Sequence, residues 1–228
     1  MTPKAKTVLS YLFLLVLLPA IAVGGYFLFR ERGYVWISVV IAAVACIPFF
    51  IRFEKTTGDV RRTVLLALMI ALSVLGRLVF SYIPHFKPVT AIIILAGIYL
   101  GAEAGFLCGS LSVLCSNFIF GQGPWTPFQM VAWGMIGFIA GVLSNPFKRY
   151  ILLLLLYGVI SGIFYSLFMD ILTVLWLDGG FTTKKYLAAI VTSFPVTLTY
   201  VFSNVIFLFV LVKPLGKKID RIKEKYGI

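Results

Sequence analysis

Long apolar runs follow one another along this chain with little polar sequence between them. They lie near 7–29, 34–51, 63–83, 88–101, 104–120, 128–145, 150–177 and 186–212. A hydrocarbon core about 30 Å thick takes roughly 20 apolar residues per helical crossing, so the pattern predicts roughly eight transmembrane helices and no soluble domain. The stretch 88–120 needs a decision. As one helix rising 1.5 Å per residue it would be about 50 Å long, too long for one crossing. A break at Gly101-Ala102-Glu103-Ala104-Gly105 predicts two helices joined by a tight turn.

Charge supports the break. Basic loops belong on the cytoplasmic side, so the Arg52, Lys55, Arg61, Arg62 joint and the Lys148, Arg149 loop should share it, which needs an even number of spans between them. With the split, Lys4, Lys6, both of these loops and the tail from Lys213 to Lys225 fall inside, and Arg30, Arg32, Lys87, Lys184 and Lys185 fall outside. Both termini are then cytoplasmic, and the location is the plasma membrane, multi-pass. The first run has features of a signal peptide, with basic Lys4 and Lys6 and a cleavage-like Ala20-Ile21-Ala22. Its apolar stretch runs on through Phe29, which favours a retained span.

Composition agrees. Of the 228 residues, 61% are hydrophobic and 12% charged, with mean hydropathy +1.04. That leaves too little polar surface for a soluble domain. The net charge of +12 sits in short loops and the tail, where it sets topology and meets anionic lipid rather than nucleic acid. Cys46, Cys108 and Cys115 lie inside apolar runs without metal-ligand spacing and read as reduced packing residues.

The expected architecture is an all-α integral membrane fold: an N-terminal hairpin with its basic joint (1–60), a six-helix core (61–213) and a basic cytoplasmic tail (214–228). Small residues recur at four-residue spacing at Gly97, Gly101, Gly105 and Gly109, at Gly137 and Gly141, and at Gly158 and Gly162. This spacing lets helix backbones approach closely.

Enzyme chemistry finds no foothold. There is no GxxxxGK[ST] phosphate loop, HExxH or GxSxG, and His85 is the single histidine. His85 reads as an external loop residue and Asn204 as a packing hydrogen-bonder towards the cytoplasm. No cofactor or metal is expected. The candidate substrate-binding residues are Arg77, Asn117, Gln122, Trp125, Gln129, Trp133, Tyr165 and Asp170, all placed at the outer ends of spans or in the Gly121–Pro127 loop. Intramembrane polar groups are costly and face interiors or cavities, and aromatics beside amides suit a flat organic ligand. Arg77 and Asp170 read equally as an interhelical ion pair, Asn117 and Gln129 as interhelical hydrogen-bonders, and the tryptophans as interface anchors.

Three stretches resemble one family. They are Arg61–Ala71 with its Ala67-xxx-Ala71 step, the tight turn Ala96–Gly105, and Asn117–Met130. In this order they are similar to the S components of energy-coupling factor (ECF) transporters, most of all those for cobalamin or its precursors, with riboflavin or another vitamin also open. The resemblance implies a non-enzymatic, substrate-binding subunit of an ATP-driven importer. It captures a vitamin-like solute from outside, and Ala67 and Ala71 dock on a transmembrane coupling subunit that works with two ATPase subunits. The alternative is a self-contained secondary transporter that couples ions through Arg77 and Asp170.

Overall fold

A computed structural model describes residues 60–178 and 181–227, with a few positions between 46 and 54. The expected N-terminal hairpin lies outside the described residues. These form an all-α bundle: α1 (Val60–Val79), α2 (Val89–Leu100), α3 (Ala102–Phe120), α4 (Trp125–Val142), the short α5 (Ser144–Arg149), α6 (Ile151–Asp178) and α7 (Thr183–Tyr226). α1, α3, α4, α6 and α7 are long and apolar enough to cross a membrane.

α2 is the axis of the bundle. It is apolar on every face and nearly every residue is buried, because α1, α3, α4 and α7 all pack around it. It has 12 residues, about 18 Å at 1.5 Å per residue, well short of a hydrocarbon core. Its C-terminal end, the inner one in the expected topology, turns at once into α3 through Gly101, whose φ of 103° suits glycine. The break expected at 101–105 is therefore real, one residue long.

The inner part of the bundle is held by glycines. A Cβ on Gly97 or Gly105 would run into the Gly137 backbone, one on Gly137 into the Gly105 backbone, and one on Gly141 into Ala102. Hydrogens in place of side chains let α2, α3 and α4 touch backbone to backbone, and such close packing is one of the forces that hold helices together in lipid. Along the spans the outward surface is largely apolar. α1 exposes Val64, Leu68, Leu75 and Val79, with Ala67 and Ala71 beside them.

α7 is 44 residues long and runs through Pro195 and Pro214. The basic tail from 214 onward is thus a continuation of the last helix as far as Tyr226. Near its end the Arg61 guanidinium donates to the Tyr226 carbonyl at 2.7 Å and Lys223 Nζ to the Tyr99 carbonyl at 3.0 Å, tying the tail to α1 and α2.

Candidate functional site

Because α2 is short, the opposite end of the bundle, the outer one in the expected topology, is not filled by helix. The segment from Phe80 to Pro88 folds over it. Both backbone groups of Lys87 bond the α7 Ser203 hydroxyl, N–H donating at 2.9 Å and C=O accepting at 2.9 Å. Phe80 and Phe86 pack on Phe207 at 5.0 and 5.1 Å. His85, at φ 60°, places Nδ1 3.1 Å from the Tyr200 hydroxyl.

Under this segment lies a cavity of ≈190 Å³ lined by Arg77, His85, Lys87, Val89, Thr90, Gln129, Trp133, Tyr165, Tyr200 and Asn204. Its wall is aromatic. The Trp133 and Tyr165 rings stack at 4.7 Å with planes 15° apart, and Tyr200 meets Tyr165 edge-on at 5.1 Å. The indole N–H of Trp133 donates to Thr90 Oγ1 at 3.1 Å, which fixes the plane of the ring from α2.

Arg77 supplies the charge. Its Nη1 donates to Ser116 Oγ at 2.5 Å and Asn117 Oδ1 at 2.8 Å, and its guanidinium lies 5.5 Å from the Trp133 ring centre and 4.9 Å from that of Phe120. Asn117 is a buried hub. Its amide donates onward to Thr126 Oγ1 at 3.0 Å and Gln129 Oε1 at 3.1 Å, so α1, α3 and α4 are joined by one polar network. No carboxylate is among the lining residues, and the cavity is electropositive. Burial, then the field of Arg77, holds the Lys87 amine below its ordinary value. Burial, then Lys87, holds the His85 imidazole below 6.5.

The expected residues divide. Arg77, Gln129, Trp133 and Tyr165 line the cavity, and Asn117 holds Arg77 and Gln129 from behind. Gln122 faces its own loop: Nε2 donates to the Leu114 carbonyl at 3.1 Å, and Oε1 accepts from Thr126 at 2.9 Å. Trp125 folds onto Gly123, is 39% exposed and does not line the cavity. Asp170 accepts from the Ser193 hydroxyl at 2.7 Å in a separate groove with Thr173 and Lys185, so it does not share the cavity with Arg77, and the alternative reading of the two as an ion pair has no bond behind it. His85, Lys87, Thr90, Tyr200 and Asn204 enter the lining unexpectedly. Asn204 also donates to the Gly158 carbonyl at 3.0 Å, as a packing residue would. The signal for His85, Lys87 and Thr90 was the 88–101 run, shorter than a full hydrocarbon core, which leaves the preceding loop to close this end; Tyr200, on α7, carried no such signal. Among the described residues no cluster of ligating side chains suits a metal.

An ECF-type riboflavin transporter S component model matches residues 58–220. The chain belongs to this family. No curated protein and no solved structure gives a match. Like other ECF S components it is a multi-pass membrane transport subunit for vitamin uptake, not an enzyme, and such subunits work with a membrane coupling subunit and ATPases. The family assignment corrects the cobalamin preference. That preference leaned on the loop Asn117–Met130, where Gln122 and Trp125 hold the loop together instead of facing the cavity.

Proposed function

We propose that this S component captures riboflavin, or a vitamin of the same flat, carbonyl-edged heteroaromatic kind, from outside the cell. The observation that carries the reading is the Trp133–Tyr165 stack beside Arg77 inside the cavity. A planar ring gains area and stacking against such a wall, and its carbonyl edge meets the cationic side formed by Arg77 and Lys87. Gln129 adds an amide. A cavity of ≈190 Å³ is below the roughly 300–1,000 Å³ of small-molecule sites, so entry requires the Phe80–Pro88 segment to lift and the aromatic wall to part. A corrin would need far more room.

Both termini are cytoplasmic in this reading, and the cavity opens outward. Ala67 and Ala71 lie on an exposed stripe of α1 suited to close docking on the coupling subunit, whose ATPase partners drive release inside. The ion-coupled alternative has less support, since Asp170 bonds Ser193 away from Arg77. The test is a titration of the purified protein in nanodiscs with riboflavin, read by flavin and tryptophan fluorescence, with cobalamin as comparison. Saturable quenching by riboflavin alone is expected. A preference for cobalamin, or flavin quenching that survives loss of both Trp133 and Arg77, would rule the assignment out.

A further inference from the structure

The opposite end of α2 carries a second concavity that the capture reading does not use. It measures ≈400 Å³ and lies between α2, α5, α6 and α7. Its floor is apolar, formed by Ile98, Leu154, Phe209 and Val212, and its rim is basic, formed by Lys148, Arg149, Lys213 and Lys217. The change from floor to rim falls where α6 begins at Ile151 and where α7 passes from Val212 to Lys213, the boundary between apolar and polar sequence. Asp220 is the single carboxylate in the lining. Lys148 lies over the Tyr99 ring at 4.9 Å, and the neighbouring Lys223 amine is held below its ordinary value, first by burial and then by Lys148 and Arg62. The rim therefore carries an excess of positive charge that its own residues do not balance.

We propose that this concavity seats the phosphate of an anionic phospholipid, with the acyl chains running along the floor. A lipid is the occupant whose own division into charged head and apolar tail matches rim and floor, and basic pockets between transmembrane helices at an interface are the setting in which anionic headgroups bind. The bound phosphate would join Lys148 and Arg149 on α5 to Lys213 and Lys217 on α7, elements that both touch Tyr99 at this end.

The test is native mass spectrometry of the full chain released from bilayers of mixed phosphatidylglycerol and phosphatidylcholine. Wild type should keep phosphatidylglycerol in preference to phosphatidylcholine. The variant Lys148→Gln/Lys213→Gln/Lys217→Gln should retain it at least about tenfold less well. Lys218→Gln/Arg221→Gln/Lys225→Gln removes the same charge outside the lining and should keep it. Asp220→Asn, which leaves every basic group in place, should tighten retention about severalfold. Equal loss in the two triple variants, equal retention of phosphatidylcholine, or displacement by inorganic phosphate would each overturn the proposal, the last by identifying a free-anion site.

Discussion

The two ends of α2 are built on opposite principles. At the inner end Gly97, Gly105, Gly137 and Gly141 bring three helices into backbone contact, and nothing but helix occupies the space. At the outer end the helix has stopped, and α1, α3 and α4 face the vacated space with large side chains: Trp133 and Gln129 from α4, Arg77 from α1, and Asn117 from α3. One short, uniformly apolar helix thus separates a rigid joint from an adaptable chamber. A binding protein in lipid needs both, because water does not drive its helices together and a chamber open to solvent contributes little to holding them.

The largest effect should come from filling the inner seam. Gly137→Leu places a side chain where the Gly105 carbonyl already lies, and no flexible neighbour is there to yield. Overpacking of this kind costs 1–3 kcal/mol or more, and backbone contact puts it at the upper end, about 3 kcal/mol. The expected result is loss of monodisperse protein on size exclusion and a sharply lower thermal midpoint. A well-folded variant with normal yield would show that the seam is not where the bundle is held.

At the outer end the same kind of disturbance should spare the fold and remove binding. Trp133→Leu keeps an apolar group but deletes the flat face and the donor to Thr90. Riboflavin affinity should fall about tenfold to fiftyfold, the sum of roughly 0.5–1.5 kcal/mol for the aromatic pair and about 1 kcal/mol for the buried ring area that leucine does not replace. The thermal midpoint without ligand should fall less than for Gly137→Leu. If stability and affinity fall together in both variants, the division between joint and chamber is wrong.

How much of this contrast was legible in the sequence depends on the physics behind each part. The break at Gly101 was legible because a length limit and a charge count both demanded it, and the glycine seam because spacing on a helix is a local property. Arg77, Gln129, Trp133 and Tyr165 were legible as costly or amphipathic side chains at one depth. Lys87 and Tyr200 were not picked out, because they reach the cavity only through the fold of Phe80–Pro88 over α2 and the packing of α7 against it. Gln122 and Trp125 lie away from this cavity for the converse reason. A glycine- and proline-rich loop with polar groups reads as a platform, but its groups found partners within the loop and at the end of α3. The continuation of α7 through Pro214 was equally unmarked, since proline ordinarily ends a helix.

A smaller effect separates Arg77 from Asp170. Arg77→Lys keeps the charge but loses the planar guanidinium that lies against Trp133 and Phe120 and the reach of Nη1 to Ser116 and Asn117. Riboflavin affinity should drop about tenfold, the scale of one charge-assisted hydrogen bond. Asp170→Asn should change it by less than about twofold, because Asp170 lies with Ser193 outside the cavity. Titration of the two variants side by side by fluorescence checks this, and a larger loss for Asp170→Asn would return the ion-coupled reading to consideration.

The smallest effect concerns the cover of the chamber. His85 stands beside the Tyr200 hydroxyl, with Lys87 two residues on in the same segment. Its imidazole is held below 6.5, first by burial and then by Lys87, so the folded state binds its proton less readily than the unfolded chain. Stability from this group is therefore fully present above about pH 6.5 and declines as pH falls through the lower folded value. Protonation turns both ring nitrogens into donors and sets a second charge near Lys87, which loosens the Phe80–Pro88 segment without touching the glycine seam. Thermal unfolding of the ligand-free protein should show a modest fall on acidification that His85→Gln flattens. Hydrogen exchange should place the change in residues 80–88 and leave α2 to α4 protected. Exchange that rises first at the seam would mean that the cover and the joint are one cooperative unit, and the contrast between the two ends of α2 would not extend to their motions.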